Sequence, residues 1–434
     1  MHRIAATPGG WNPDAEGVIF VEQTPAPIVV LTAADTEIQT LAGAVSQLPT
    51  DFPEVRAVNL LQLQQQLTID TYAEEVLEQV QVIVLRLLGG RSYWSYGLEV
   101  VQELVSRTGA SLIVLPGDDR PDPDLISHST VGLAIADRVW RYFTEGGIEN
   151  AQNMLRFLAS SCLGKSYESE TPQVVPRVGL YREWAGDPRV GILFYRAHYL
   201  SGNTKVIDDL CAALCDRGLV PVPIFVSSLR DPEVQAKLLE YCNVEVLLNT
   251  TSFSIASPSS VASGSIWQTL DVPVLQVILS GGTLEQWESQ FRGLSPRDTA
   301  MNVALPEVDG RIISRAISFK AVQENHPQLQ TDVVTYESVR DRVEFVAEMA
   351  KNWVRLRQTK RSDRRVALIL ANYPTRDGRL ANGVGLDTPE SCVEILKALQ
   401  EEGYNVQNIP ENGDELIQTL TQGVTNDPEA KELR

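Results

Sequence analysis

Apolar runs at 28–31, 56–60, 82–85 and 112–115 alternate with stretches of helical period at about 34–47, 68–79 and 96–108. Strands buried on both faces read as near-continuous apolar runs, so this alternation predicts a mostly parallel sheet flanked by helices. The Gly- and Pro-rich start adds one predicted strand at 18–21. The pattern is most regular at 189–226. Residues 190–195 read as a buried strand, and Ser201, Asn203 and Thr204 can each cap a helix. Val206, Leu210 and Leu214 then repeat every fourth position, with Ile207, Cys211 and Cys215 beside them, which predicts one wide apolar helix face. Gly218 ends that helix, and 219–226 reads as a second buried strand. A parallel strand pair needs such a crossover.

Further along, a helix is predicted near 231–241, strands at 244–248 and 274–279, and a long amphipathic helix at about 335–358. The segment 292–312 shows few helical features. A last group follows: a strand at 366–370, a helix at 389–402 capped by Thr388, a strand at 404–406 and a helix at 413–421. The fold class read from this pattern is α/β and multidomain, several Rossmann-like units with mostly parallel sheets. The proline-broken polar stretch 163–188 marks a boundary. The expected domains are 1–165, 166–330 and 331–434, the last an incomplete start of a further α/β domain.

Composition narrows the partners. The chain has 434 residues, a formal net charge of −19 and a pI of about 4.7. That surface repels nucleic acid and anionic membranes, so neither is an expected partner. Five cysteines without paired spacing argue against a disulfide framework. The N-terminus lacks the apolar stretch of a secretion signal, and no apolar run approaches the roughly 20 residues of a membrane span. A cytoplasmic location is expected.

Familiar chemical signatures are weak. ASSCLGKS at 159–166 lacks the first glycine of a phosphate-binding loop and follows a helix rather than a strand. NGVGLD at 382–387 lacks the third glycine of a dinucleotide fingerprint. Cys211 and Cys215 share a face with Leu210 and Leu214, which favours packing over metal ligation. No metal site and no bound cofactor are expected. Ligands of open α/β sheets sit beyond the carboxyl ends of the strands. LLGGRSYWSYG at 87–97 and PGDDRPDPD at 116–124 fall at such ends. So do three richer polar loops: YRAHYLSGNT at 195–204, RGLSPRDTAMNVALPEVDGR at 292–311 and NYPTRDGRLANGVGLDTP at 372–389. Arginine forks in these loops suit carboxylates, and His198 could exchange a proton near neutral pH. Pairs such as Arg297–Asp298 also suit structural turns.

The same three loops resemble stretches of the large subunit of ATP-dependent cobaltochelatase, as do AATPGGWNPD at 5–14 and QTPAPIVVLTAADTE at 23–37. The resemblance extends over essentially the whole chain, and the H-type large subunits of magnesium chelatase form a related family. It implies binding of a tetrapyrrole macrocycle, with cobalt as a substrate. AAA+ ATPase partner subunits would carry ATP and magnesium. On this reading His198 and Glu307 are candidate catalytic groups. Arg196, Asn203, Thr204, Arg292, Arg297, Asp298 and Arg376 are candidate substrate contacts. GNT after YRAHYLS and the N-terminal AATPGG resemble the cobalt branch; magnesium insertion into a porphyrin, or a non-catalytic binding or scaffold role, are the alternatives. Family members are longer, and their segment resembling HGTxEWLPGK is absent here, so this portion alone is expected not to turn over. All of these readings require the loops to converge on one cleft.

Overall fold

The computed structural model describes residues 20–117, 120–255, 266–371 and 380–423. It divides into two compact units, Met1–Lys351 and Asn352–Arg434.

The first unit contains two sheets. The smaller is built from β1 (Ile28–Thr32), β2 (Val55–Asn59), β3 (Val82–Leu87) and β4 (Ser111–Pro116). Its order is β2-β1-β3-β4, and every pair is parallel. Helices Gln66–Glu75 and Ser95–Thr108 cover one face, and Asp35–Val45, Leu133–Glu145 and Ile148–Leu163 cover the other. Leu85 and Val84 therefore point into different cores, both fully buried. Each such side chain stabilises by roughly 1.5–3 kcal/mol. A charge at either would be buried without a partner. Residues 20 and 21 carry no strand, and the rest of that prediction lies outside the described residues.

The larger sheet takes β5 (Val178–Leu180), β6 (Arg189–Tyr195), β7 (Val220–Val226), β8 (Val246–Asn249), β9 (Val274–Leu279), β10 (Ile312–His326) and β11 (Thr331–Ser338). The order is β11-β10-β9-β8-β6-β7-β5. The five inner strands run parallel, and β5 and β11 pair antiparallel at the two edges. The predicted strand–helix–strand unit forms as β6, helix Lys205–Cys215 and β7. Gly218 has φ 75°, the left-handed conformation that suits a residue without Cβ. Strand order reverses between β6 and β8, so the loops after these two strands flank a topological switch point.

The hairpin β10–β11 corrects the expected division at 330/331. That position falls in the hairpin turn, so 331–338 belongs to the central sheet and not to a third domain. The long helix accordingly starts at Arg340 rather than 335. Segment 292–312 is more helical than its sequence suggested, with turns at Pro296–Thr299, Ala300–Ala304 and Leu305–Val308.

The hairpin also straps the two sheets together. Leu329, in its turn, is fully buried in the core of the smaller sheet. Its carbonyl accepts from Ala57 N at 3.4 Å, and Arg56 Nη1 donates to the Gln328 carbonyl at 2.8 Å. Gln23 Nε2 donates to the carbonyls of Leu329 and Gln330 at 3.1 and 2.9 Å.

In the second unit, helices Thr388–Glu401 and Gly413–Thr421 pack through Cys392, Val393 and Leu416, with Leu370, Leu396 and Ile409 against them. Asp387, not Thr388, caps the first helix, accepting from Glu390 N at 3.1 Å. The strands expected at 366–370 and 404–406 do not form. No described helix is long and apolar enough to cross a membrane.

Candidate functional site

In the first unit, loops at the carboxyl ends of the two sheets meet. Asp35, just beyond β1, forms an ion pair with Lys320 of β10 at 2.7 Å. Asn59, the last residue of β2, donates to the other oxygen of Asp35 at 3.0 Å. Beside this bridge stands Tyr336 of β11. Lys320 Nζ lies 6.0 Å from the Tyr336 ring centroid. The His198 ring meets Tyr336 edge to face, with centroids 5.2 Å apart. Asn203 Oδ1 accepts from Tyr336 N at 3.3 Å. Burial, then the charges of Asp35 and Asp298, push the Tyr336 phenol well above its usual range, and Arg297 acts in the opposite sense. Four sequence-predicted residues, His198, Asn203, Arg297 and Asp298, are thus gathered around Tyr336 and Lys320.

Their roles differ in detail from those expected. Burial, assisted by the positive charge of Lys320, pushes His198 down to about 4. That shift favours the neutral imidazole at pH 7 and weighs against the proton exchange near neutrality expected of it. Its Nδ1 is inaccessible and has no partner among the described residues. Asp298 is buried and accepts from Ser280 Oγ at 2.8 Å, Gly281 N at 3.1 Å and Asn302 Nδ2 at 3.1 Å, so it organises the loop after β9. Arg297 Nε contacts Met301 Sδ at 3.4 Å.

The remaining predicted residues lie elsewhere. Arg196 is buried and turned away from Tyr336. Its guanidinium donates to the carbonyls of Pro176, Glu145 and Val175 at 2.8–2.9 Å and to that of Thr144 at 3.4 Å. It is a structural clamp, because these four carbonyls occupy the fork that a ligand carboxylate would need. Thr204 accepts from Tyr181 Oη at 3.0 Å and donates to Asp208 at 3.2 Å. Arg292 and Glu307 are exposed. Arg376 lies outside the described residues. In the first of the two shorter loops, Trp94 is buried and donates to the Leu63 carbonyl at 3.0 Å, so it serves packing.

A second polar cluster lies under the switch point. Tyr195, which ends β6, donates to Ser252 O at 3.2 Å and accepts from Ser252 N at 3.1 Å. Ser252 donates to Asn302 at 2.6 Å, which leads to Asp298. Deeper, Arg311 donates to Thr251 O, Gln276 Oε1, Phe253 O and Asp309 Oδ2 at 2.7–3.2 Å. The side chains of Arg311 and Asp309 are 0% and 2% exposed. This chain of bonds links two of the predicted loops, 195–204 and 292–311.

Sequence reasoning missed Asp35, Lys320 and Tyr336. Their only signal was placement: Asp35 follows a predicted strand, whereas the hairpin that carries the other two was not foreseen. Chemically, the cluster holds the Lys320–Asp35 ion pair, a neutral imidazole and a phenol, and of its members Asn203 and Tyr336 line a groove. Such a set can hold a large polar ligand by its charged and hydrogen-bonding edges. No group of three His, Cys, Asp or Glu that could hold a metal occurs among the described residues.

Comparisons with known proteins converge. Residues 140–434 match the family CobN/Magnesium Chelatase. The aerobic cobaltochelatase subunit CobN of Pseudomonas aeruginosa is 44% identical over 100% of this chain and 36% of its own length. CobN of a Sinorhizobium species is 40% identical over 98% of the chain and 35% of its own length. The H-type magnesium-chelatase protein of Chlorobaculum parvum is 27% identical over 67% of the chain and 25% of its own length. Among solved structures, the catalytic subunit of cobaltochelatase from Mycobacterium tuberculosis matches 91% of the chain and 33% of its own, at 29% identity and a TM-score of 0.64. The chain spans about a third of the length of these cobaltochelatase relatives. It belongs to the CobN/magnesium chelatase family.

Proposed function

We propose that this chain is the N-terminal part of a cobaltochelatase large subunit, which holds a corrin precursor for ATP-dependent cobalt insertion in cobalamin biosynthesis. The observation that carries this reading is the 44% identity to the Pseudomonas aeruginosa subunit along the whole chain. The magnesium branch has less support, at 27% identity over two thirds of it. Cobalt is a substrate here. ATP and magnesium belong to AAA+ partner subunits, and the complex works in the cytoplasm.

Metal insertion requires the macrocycle to lose two pyrrole protons and the ion to shed water. The cleft around Tyr336 contributes to holding the ring. Arg297, whose charge acts on Tyr336, supplies positive charge for a peripheral carboxylate, and the Tyr336 phenol, held protonated, offers a hydrogen bond. The groups that remove the pyrrole protons lie outside this set.

The test uses the full-length protein with its ATPase partners. A metal-free corrinoid should quench tryptophan fluorescence saturably, and cobalt should enter the ring on addition of ATP. Absence of both would sink the reading. Magnesium insertion into a porphyrin, with no reaction of the corrinoid, would move the protein to the other branch.

A further inference from the structure

A groove of about 790 Å³ runs between helix Asp35–Val45, the loop after helix Arg196–Ser201 and the edge strand β11. Among the described residues, no strand pairs with the outer edge of β11. Two side-chain amides do so instead. Gln39 Nε2 donates to the Val334 carbonyl, and Asn203 Oδ1 accepts from Tyr336 N. Gln39 and Asn203 are only 7% and 8% exposed. Their bonds to the strand fix which way each amide is turned. They leave Gln39 Oε1 as an acceptor and Asn203 Nδ2 as a donor, each buried and without a partner among the described residues. Thr335 Oγ1, on the strand residue between the two bonded peptides, is also unmet. Buried polar atoms are nearly always paired in folded proteins, and three exceptions on one groove call for a partner.

We propose that this groove is a binding site for the neutral carboxamide group of a small molecule. A planar carboxamide carries an N–H for Gln39 Oε1 and a carbonyl for Asn203 Nδ2. Charge selects in the same direction. Lys205 lines the groove, but its ammonium is held by Asp209 at 3.3 Å and Glu337 at 3.1 Å. Burial lowers the pKa of His326, which disfavours its charged form in the groove. With two carboxylates against one ammonium, the cluster at Lys205 keeps a net negative charge, which disfavours an anion. The groove therefore accepts an amide and rejects the matching acid. This assignment stands apart from metal insertion and is measured without it.

The experiment is a ligand-observed NMR titration of the full chain with benzamide and with benzoate, a neutral and an anionic probe of one shape. Benzamide should bind more tightly by about tenfold or more, the scale of one charge-mismatched hydrogen bond. Asn203→Asp keeps the acceptor for Tyr336 N and replaces the free donor with a charged oxygen. It should weaken benzamide by a further factor of about ten with the fold intact. Should that variant not fold, Thr335→Val tests the same wall with a smaller loss in the same direction. Equal affinity for the two probes, binding of neither, or unchanged benzamide affinity in a folded variant overturns the proposal. Displacement of benzamide by a metal-free tetrapyrrole would support it with the amide on the macrocycle; selective binding without displacement would support it with a separate small molecule.

Discussion

The first unit contains two buried polar clusters that differ in how completely they are bonded. Around Arg311, four guanidinium bonds, one of them the Asp309 ion pair, and the Asn249–Gln276 bond at 2.8 Å close on one another; of the guanidinium nitrogens Nε lacks a partner among the described residues. Around Tyr336, His198 Nδ1, Asn203 Nδ2 and Thr335 Oγ1 remain unmet. A closed network fixes the loop over it and has little left to offer a ligand. An unclosed one costs stability in the free protein and is where recognition can be placed. Arginine richness in a loop therefore does not identify a site; what the guanidinium already holds decides.

That contrast can be broken by substitution. The largest effect should come from Arg311→Leu, which strands the Asp309 carboxylate in the interior and should cost about 3–5 kcal/mol in urea unfolding. A loss under about 1 kcal/mol would mean that the cluster is not a fold element after all. Arg196→Ala should cost about 2–3 kcal/mol by leaving its carbonyls unmet, while tetrapyrrole affinity of the folded protein stays unchanged. Lower affinity at unchanged stability would return Arg196 to the site.

The unclosed cluster makes a pH prediction. His198 sits at about 4 in the fold against 6.5 in the unfolded chain. Between those values the unfolded chain takes up a proton that the folded chain refuses, so stability falls as pH drops from 6.5 toward 4. The loss should approach about 2 kcal/mol, allowing for the partial exposure of the residue. His326 is lowered too and adds to the slope. His198→Gln should therefore flatten the dependence of melting temperature on pH without abolishing it; an unchanged slope would show that the imidazole is not held neutral. The smallest effect is expected from Tyr336→Phe. Removing the phenol oxygen should weaken macrocycle binding about tenfold, some 1.4 kcal/mol, with stability changed by less than about 0.5 kcal/mol.

Much of this fold was legible. β1, β3 and β4 announce themselves because strands covered on both faces must be apolar throughout, and the crossover from β6 to β7 follows from the spacing of Val206, Leu210 and Leu214. The hairpin was not. Strand Thr331–Ser338 is an edge with a partly exposed face, so TDVVTYES lacks a continuous apolar run, and the helical repeat from Val339 onward captured its end. Conversely, 366–370 has a strand's composition, yet Val366 and Ile369 are 55% and 92% exposed and no strand accepts them. The site was legible at the level of loops. His198, Asn203, Arg297 and Asp298 were reachable because polar residues cluster beyond strand ends. Lys320 and Asp35 meet across 285 positions, a pairing that only the folded topology creates.

The turn that plugs Leu329 into the smaller sheet, while its strands are bonded into the larger one, works as a rivet. The two sheets cannot swing apart without extracting a fully buried leucine and the backbone bonds around it. The separation of Asp35 on the smaller sheet from Lys320 on the larger is consequently set by the fold itself.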